Sequence, residues 1–269
     1  MPDYDPDANA KGCYDLAISS LRERLEKSKV VIGDCTLYNE DCRFVLPTLH
    51  NIDLVFSDPP YGISYKTNYR KIMKTPDAIA NDSRPPLEFV PYMVKPIKVS
   101  GAIYLCTRSD VQYQWALALK DAKCRVKTPI IWDKGNHTAG DLDGDYGSQT
   151  EVILFAHKGR HLLRNGRDVN LWRHPRDPAG DHPTPKPMAL CARAIRNSSD
   201  IGDIVLDPFM GTGASGLAAL RLGRKYIGIE MDKKYFDIAC QRITDAYKQG
   251  DLFVPSPSSV KPEQIDLLE

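Results

Sequence analysis

Asp58-Pro59-Pro60-Tyr61-Gly62 follows directly on an apolar run, Ile52–Ser57. Two consecutive prolines fix φ and bias Asp58 and Pro59 towards extended geometry. The Asp58 carboxylate and the Pro59 carbonyl thereby become a stiff pair of acceptors beyond a strand tip, with the ring of Tyr61 beside them. Two acceptors and a stacking surface suit an exocyclic amine on a planar base. Such an amine is a poor nucleophile, because its lone pair is delocalised into the ring. Accepting both of its hydrogens draws the nitrogen towards tetrahedral geometry and aims the lone pair at an electrophile. Attack on a sulfonium methyl needs no metal or oxyanion hole, since it disperses positive charge and releases a neutral thioether. The proton goes to Asp58 or to water. The plain alternative is a stiff turn with a packed tyrosine.

A second cluster lies near the C-terminus, Asp207-Pro208-Phe209-Met210-Gly211-Thr212-Gly213-Ala214-Ser215-Gly216. Gly211, Gly213 and Gly216 satisfy G-x-G-x-x-G between an apolar run and a helical pattern. Glu230 closes the next apolar run, 23 residues beyond Asp207, where a ribose-binding acid is expected. A dinucleotide is the obvious ligand, but Asp207 opposes a pyrophosphate at the strand tip. S-adenosylmethionine (SAM) fits better, with a ribose for Glu230 and positive ammonium and sulfonium groups for an acidic pocket. So late a glycine loop leaves too little chain for a dinucleotide domain to follow, so the remaining strands must precede it in a permuted sheet.

These motifs need a scaffold. Apolar runs at 29–33, 52–57, 101–106, 126–132, 151–156, 203–206 and 225–229 read as buried strands. Helical patterns at 109–122, 186–197, 214–222 and 233–248 alternate with several of them, which predicts a doubly wound α/β fold. The Gly- and Asp-rich stretch 135–148 has no helical period, so the runs on either side of it form an antiparallel excursion. Residues 1–28 read as an N-terminal helical extension, with an amphipathic helix over 10–28. Residues 29–248 read as the catalytic domain, and 249–269, with Pro255, Pro257 and Pro262, as a disordered tail.

Among the 269 residues, 36 Lys and Arg face 35 Asp and Glu, a net charge of +1, so no global field marks a partner. Locally the balance differs. Lys66 to Lys74 holds four basic residues and no acid; Lys158 to Arg176 holds six against Asp168 alone. These are two solvated loops or a surface that tracks phosphates. Lys66, Lys71 and Lys74 are the candidate phosphate contacts, and Arg164, Arg167 and Arg173 the candidate base readers, within segments 62–82 and 158–181. Seven scattered cysteines without a C-x-x-C pair argue against a disulfide framework or zinc ribbon. His137, His157, His161 and His174 share no metal-ligand spacing, so no metal is expected. No signal peptide or membrane span is visible, which places the protein in the cytoplasm.

D-P-P-Y together with D-P-F-x-G-T-G resembles the SAM-dependent amino-methyltransferases of DNA. The order, with D-P-P-Y first, then His182-Pro183-Thr184-Pro185-Lys186-Pro187, then the glycine loop, is similar to the permuted beta group of that family. The resemblance implies a Rossmann-like, mostly parallel seven-stranded sheet with one reversed strand. It implies that Asp58, Pro59, Pro60 and Tyr61 hold a flipped-out base. It further implies that Thr184 and Lys186 serve the methionine end of SAM, with Asp207, Phe209, Gly211 and Gly213 lining it and Glu230 on the ribose. Gly33-Asp34-Cys35 matches the strand-end motif near the SAM adenine, with Asp34 as acceptor for its amino group; a capping role for Asp34 is the alternative. Ala214 stands where many relatives carry a hydroxyl. The expected activity is methylation of adenine N6 in double-stranded DNA. N4-cytosine methylation is the rival, although S-P-P-Y is more typical there. A nicotinamide-dependent oxidoreductase and a non-catalytic DNA-binding relative are the readings from other classes. The resemblance leaves room for a homodimer and for a cognate restriction endonuclease.

Overall fold

The computed structural model describes residues 18–61, 85–137, 144, 146–177 and 186–249. Lys66, Lys71, Lys74 and Thr184 lie outside the described residues, as do most of the N-terminal extension and the tail from 250.

Helix α1 (18–28) leads into a hairpin of β1 (Lys29–Ile32) and β2 (Cys35–Tyr38). Then come α2 (Cys42–Val45), β3 (Ile52–Ser57), α3 (Val90–Val94), β4 (Ile97–Thr107), α4 (Gln112–Asp121) and β5 (Arg125–Val126). The chain continues through β6 (Ile130–Asp133), β7 (Thr150–His157), β8 (Leu171–Arg173), α5 (Met188–Ser198), β9 (Ile204–Asp207), α6 (Ala214–Arg221), β10 (Lys225–Ile229) and α7 (Lys233–Lys248). One sheet holds all ten strands of the described residues. Its body, in spatial order, is β2, β10, β9, β3, β4, β7 and β6, with β7 alone reversed. That is the mostly parallel seven-stranded arrangement with one reversed strand. Short strands extend it: β1 antiparallel to β2, β8 parallel to β6, and β5 antiparallel to the end of β7.

Two strand readings are corrected. The run 29–33 is not a buried parallel strand but the outer arm of the hairpin, with Val31 58% exposed. Gly33, at φ +54°, turns the chain, and Cys35 and Leu37, both fully buried, take the parallel position beside β10. The run 126–132 divides into β5 and β6 on either side of Pro129, which has no N–H to give a ladder.

Helices cover both faces. Leu190, Ala194, Leu217, Phe236 and Ile243, from α5, α6 and α7, pack with Leu54, Phe56 and Trp172 on one side. Val45, Met93, Trp115 and Leu119, from α2, α3 and α4, pack with Val55, Ile103 and Leu154 on the other. In α7 the buried positions Phe236, Ala239 and Ile243 follow the helical repeat, and Asp232 caps its start by accepting from Lys234 and Tyr235 N–H. No helix of the described residues is long and apolar enough to cross a membrane.

The loop between β7 and β8 is tied to α5 by Asp168. Its carboxylate accepts from Arg193 Nε and Nη2 (2.9 and 2.7 Å), from Asn197 Nδ2 (2.7 Å) and from Val169 N–H (2.8 Å). The Arg193 bonds, with help from Asn197 and the Val169 N–H, hold the carboxyl at about 2, against a partial opposing effect of burial. A carboxyl depressed in the native state stabilises above its unfolded value and loses that contribution as pH falls through about 2. Asp168→Asn should therefore cost about 2 kcal/mol at pH 7 in urea titration. The gap to the wild type should narrow as the pH is taken from 4 towards 2.

Candidate active site

Parallel strands that end at one edge deliver their following residues to the same place. Here β3 delivers Asp58, β9 ends in Asp207 and β10 is followed by Glu230. The reversed β7 begins at that edge with Thr150 and Glu151, and β6 ends there with Asp133, followed by Lys134. Asp58, Lys186, Asp207, Phe209, Gly211 and Thr212 line one cleft along it.

The glycine loop is braced from within. Asp207 Oδ1 accepts from Phe209 N–H (3.1 Å) and Oδ2 from Ser215 Oγ (2.5 Å), which also meets Tyr226 Oη at 2.9 Å. Ser215 thus faces the interior. Burial pushes the Asp207 carboxyl up to about 7 despite those bonds, and the like charges of Asp58 and Glu230 add to the push. The open anion expected at the strand tip is instead a buried group that ties its own loop together. Gly213 sits at φ +79° as α6 begins, and a Cβ on Gly216 would fall 2.8 Å from the Tyr226 ring. Glu230 Oε2 accepts from Gly211 N–H (2.9 Å) and Oε1 from Asp232 N–H (2.8 Å), while burial raises its carboxyl. The Phe209 ring meets Phe89 edge-on at 4.8 Å.

At the tip of β3 the Tyr61 hydroxyl donates to Asp58 Oδ1 (2.8 Å). Lys186 Nζ donates to Asp58 Oδ2 (2.8 Å) and to Tyr61 Oη (3.0 Å), and lies 3.2 Å from Glu151 Oε2. It also sits 5.4 Å from the Tyr61 ring centre and 5.8 Å from that of Trp132. Burial pulls the Lys186 ammonium down, but Asp58, Tyr61 and Glu151 more than reverse this and hold it well above its usual value. Burial likewise pushes Glu151 up, and Lys186 and Lys134 overturn the effect, so its carboxyl is lowered. Burial raises the Tyr61 hydroxyl well above the ordinary phenol value.

The structure brings together Asp58, Tyr61, Lys186, Asp207, Phe209, Gly211 and Glu230, while Gly213 turns the loop into α6 and packs towards Ala239 and Ile243 of α7. It alters the place of others. Three oxygens surround the three N–H groups of Lys186, so none is left for a SAM carboxylate while these contacts stand. Lys186 belongs with D-P-P-Y. Asp34 is corrected outright. It precedes β2, and its carbonyl accepts from Tyr226 N–H at the start of β10, whereas Glu230 N–H donates to Tyr38 O at the far end. Four residues of extended chain, about 13 Å, separate Asp34 from the edge that carries Glu230.

The basic segment 158–181 is also divided. Lys158 Nζ donates to Ile97 O at the start of β4, and Arg164 is bound to Asp200 Oδ2 (2.7 Å) and Leu162 O (2.7 Å) ahead of β9. Arg164 therefore lies at the edge opposite Asp58. Arg167 borders a separate hollow with Asp168 and Trp172, before β8. Among the described residues of this segment, β8 returns to the Asp58 edge, bringing Arg173, which is 77% exposed and 3.6 Å from Asp133 Oδ2, and then Arg176, which donates to Asn136 Oδ1 (3.3 Å).

Glu151 escaped sequence reasoning. The available signal was one acid near the start of an otherwise apolar strand, Thr150-Glu151-Val152-Ile153-Leu154-Phe155.

Known proteins resemble this chain in sequence and fold. A type II methyltransferase of Streptococcus pneumoniae, M2.DpnII, is 29% identical, covering 72% of this chain and 82% of its own. Among solved structures, the M1.HpyAVI–SAM complex is 26% identical with a TM-score of 0.62, covering 77% of this chain and 99% of its own. The cytosine-N4-specific PvuII DNA methyltransferase, 17% identical, shares the fold with a TM-score of 0.64 over 83% of this chain and 95% of its own. The DNA methylase family model N6_N4_Mtase matches residues 52–241, well over half of the sequence, and the chain belongs to that N6/N4 DNA methylase family.

Proposed function

We propose that the chain transfers a methyl group from SAM to the N6 amine of an adenine flipped out of double-stranded DNA. The observation that carries this is the meeting of two motifs at one cleft: the Asp58 carboxylate, 25% exposed, opposite the glycine loop that Glu230 pins. The cleft fits SAM by its donor set. Glu230 has spent one lone pair of each carboxylate oxygen on a backbone N–H and keeps the others for ribose hydroxyls. Asp58 and Glu230 give the walls the acidic character a cationic ligand needs. When bound, SAM supplies an electrophilic methyl group on a positive sulfur.

The chain's own residues do the rest. Asp58 and the Pro59 carbonyl accept the two amine hydrogens and fix the direction of its lone pair. Pro59 and Pro60 keep both acceptors stiff, and Tyr61 steadies Asp58 through its hydroxyl while offering a ring to the base. Asp58 also faces the positive charge that grows on the nitrogen. An amine inside the duplex is held in its base pair, so the base must leave the stack. Lys66, Lys71 and Lys74 follow Tyr61 in sequence and are assigned to phosphates, and Arg173, on β8, is assigned to the duplex beside the cleft. Thr184 is assigned to the methionine end of SAM. The type II relative extends the proposal to a cytoplasmic enzyme working beside a cognate restriction endonuclease.

Aspartate rather than serine at position 58 favours adenine over cytosine, and the fold is common to enzymes for both bases. The test is to incubate the protein with SAM and duplex DNA, digest, and identify the methylated nucleoside by mass spectrometry. N6-methyladenine is expected. N4-methylcytosine would overturn the choice of base, and no methylated nucleoside would overturn the function.

A further inference from the structure

Glu151 is not part of either motif, yet it closes the charge network behind Asp58. Its Oε2 lies 3.2 Å from Lys186 Nζ and its Oε1 accepts from Lys134 Nζ at 3.2 Å. Lys134 is only 3% exposed and Lys186 9%, so bulk water screens neither ammonium well and each depends on the carboxylates beside it. The group thus contains two carboxylates, Asp58 and Glu151, and two ammoniums, Lys186 and Lys134, with no net charge.

Resting on the methyl-transfer function proposed above, we infer that Glu151 is a positioning residue for that reaction, acting through Lys186. Methyl transfer breaks a sulfur–carbon bond, forms a nitrogen–carbon bond and moves one positive charge onto the amine nitrogen, which then sheds a proton. A lysine held by Asp58 alone works against this twice. It occupies the acceptor the amine needs, and it sets a positive charge beside the one that is developing. Glu151 divides the lysine between two carboxylates. Asp58 Oδ2 keeps acceptor strength for the base, and the Lys186 charge is balanced before the reaction begins. Lys186, joined by Lys134 on the far side of Glu151, keeps that second carboxylate ionised despite its burial.

The consequence is specific to charge. Glu151→Gln leaves a net positive group behind Asp58 and lets Lys186 settle on it. The rate of methyl transfer in a single turnover, with SAM and duplex DNA saturating, should fall roughly tenfold. The dissociation constants for SAM and for DNA should stay within about threefold, because Glu151 stands behind Lys186 and the Tyr61 hydroxyl and does not line the cleft. Glu151→Asp, which keeps the charge, should recover most of the rate. Glu151→Gln combined with Lys134→Met, which restores neutrality, should recover part of it. A purely structural role would lower the melting temperature without this pattern of rescue.

All three variants are to be measured beside the wild type, with thermal melts recorded for each. An active wild type whose Glu151→Gln variant keeps full rate overturns the inference. So does a lost rate that neither the aspartate nor the neutralised double variant relieves, in proteins that melt as folded chains. A wild type that methylates no duplex DNA overturns the function itself, and this inference with it.

Discussion

Asp58→Ala is expected to lower methyl transfer by at least about a thousandfold while SAM binding stays within a few-fold of the wild type. A thousandfold is about 4 kcal/mol of barrier, and two losses combine to reach it. The amine loses the acceptor that localises its lone pair, and the growing positive charge loses its nearest anion. With Lys186 left at that position, 2.8 Å from where the carboxylate stood, the electrostatic change reverses sign rather than vanishing. The fold should tolerate the change, because Lys186 retains Glu151 and the Asp58 side chain is partly exposed. Asp58→Asn separates the two losses: it keeps one acceptor oxygen without the charge and should fall between alanine and the wild type. Single-turnover rates together with calorimetric titration of SAM provide the check. An alanine variant with more than a tenth of the wild-type rate would remove Asp58 from the chemistry and leave Tyr61 and Pro59 to explain it.

The sequence was most informative where function depends on local covalent geometry. D-P-P-Y and G-x-G-x-x-G are short, and their prolines and glycines set backbone angles that need no partner from elsewhere in the chain. The sheet was legible for a related reason, since buried parallel strands are apolar throughout. Misreadings arose where long-range pairing decides. Val30, Val31 and Ile32 look more like a core strand than Cys35-Thr36-Leu37-Tyr38, yet the turn at Gly33 sends the first run to the edge and leaves Asp34 at the start of β2, beside Tyr226. Arg164 and Arg173 are nine residues apart and share a charge pattern, but β8 carries only the second back to the Asp58 edge. Lys186 was found through its motif, whereas its partner was not. The partner stands on the reversed strand, and no spacing rule connects residue 186 with Glu151 and Asp58 across such separations.

Glu230→Gln is expected to weaken SAM binding by roughly 30- to 150-fold, about 2–3 kcal/mol, with little change in rate once SAM is saturating. The carboxylate has a double duty. Gly211 N–H and Asp232 N–H each hold one oxygen, which fixes the glycine loop and the entry to α7, and the remaining lone pairs serve the ribose. An amide of the same shape keeps one acceptor oxygen and turns two hydrogens towards groups that are themselves donors. One backbone N–H then goes unpaired, so a lower melting temperature should accompany the lost affinity. A pH series isolates the charge. Burial raises the Glu230 carboxyl, and the ionised form is the better acceptor for hydroxyls, so wild-type affinity should begin to fall at a higher pH than an ordinary carboxylate would allow. The glutamine variant cannot lose a charge it lacks, and this acid limb should be missing from its profile. Unchanged SAM affinity in Glu230→Gln would show that Glu230 only pins the loop, and the ribose would have to be sought along Gly211 and Thr212 instead.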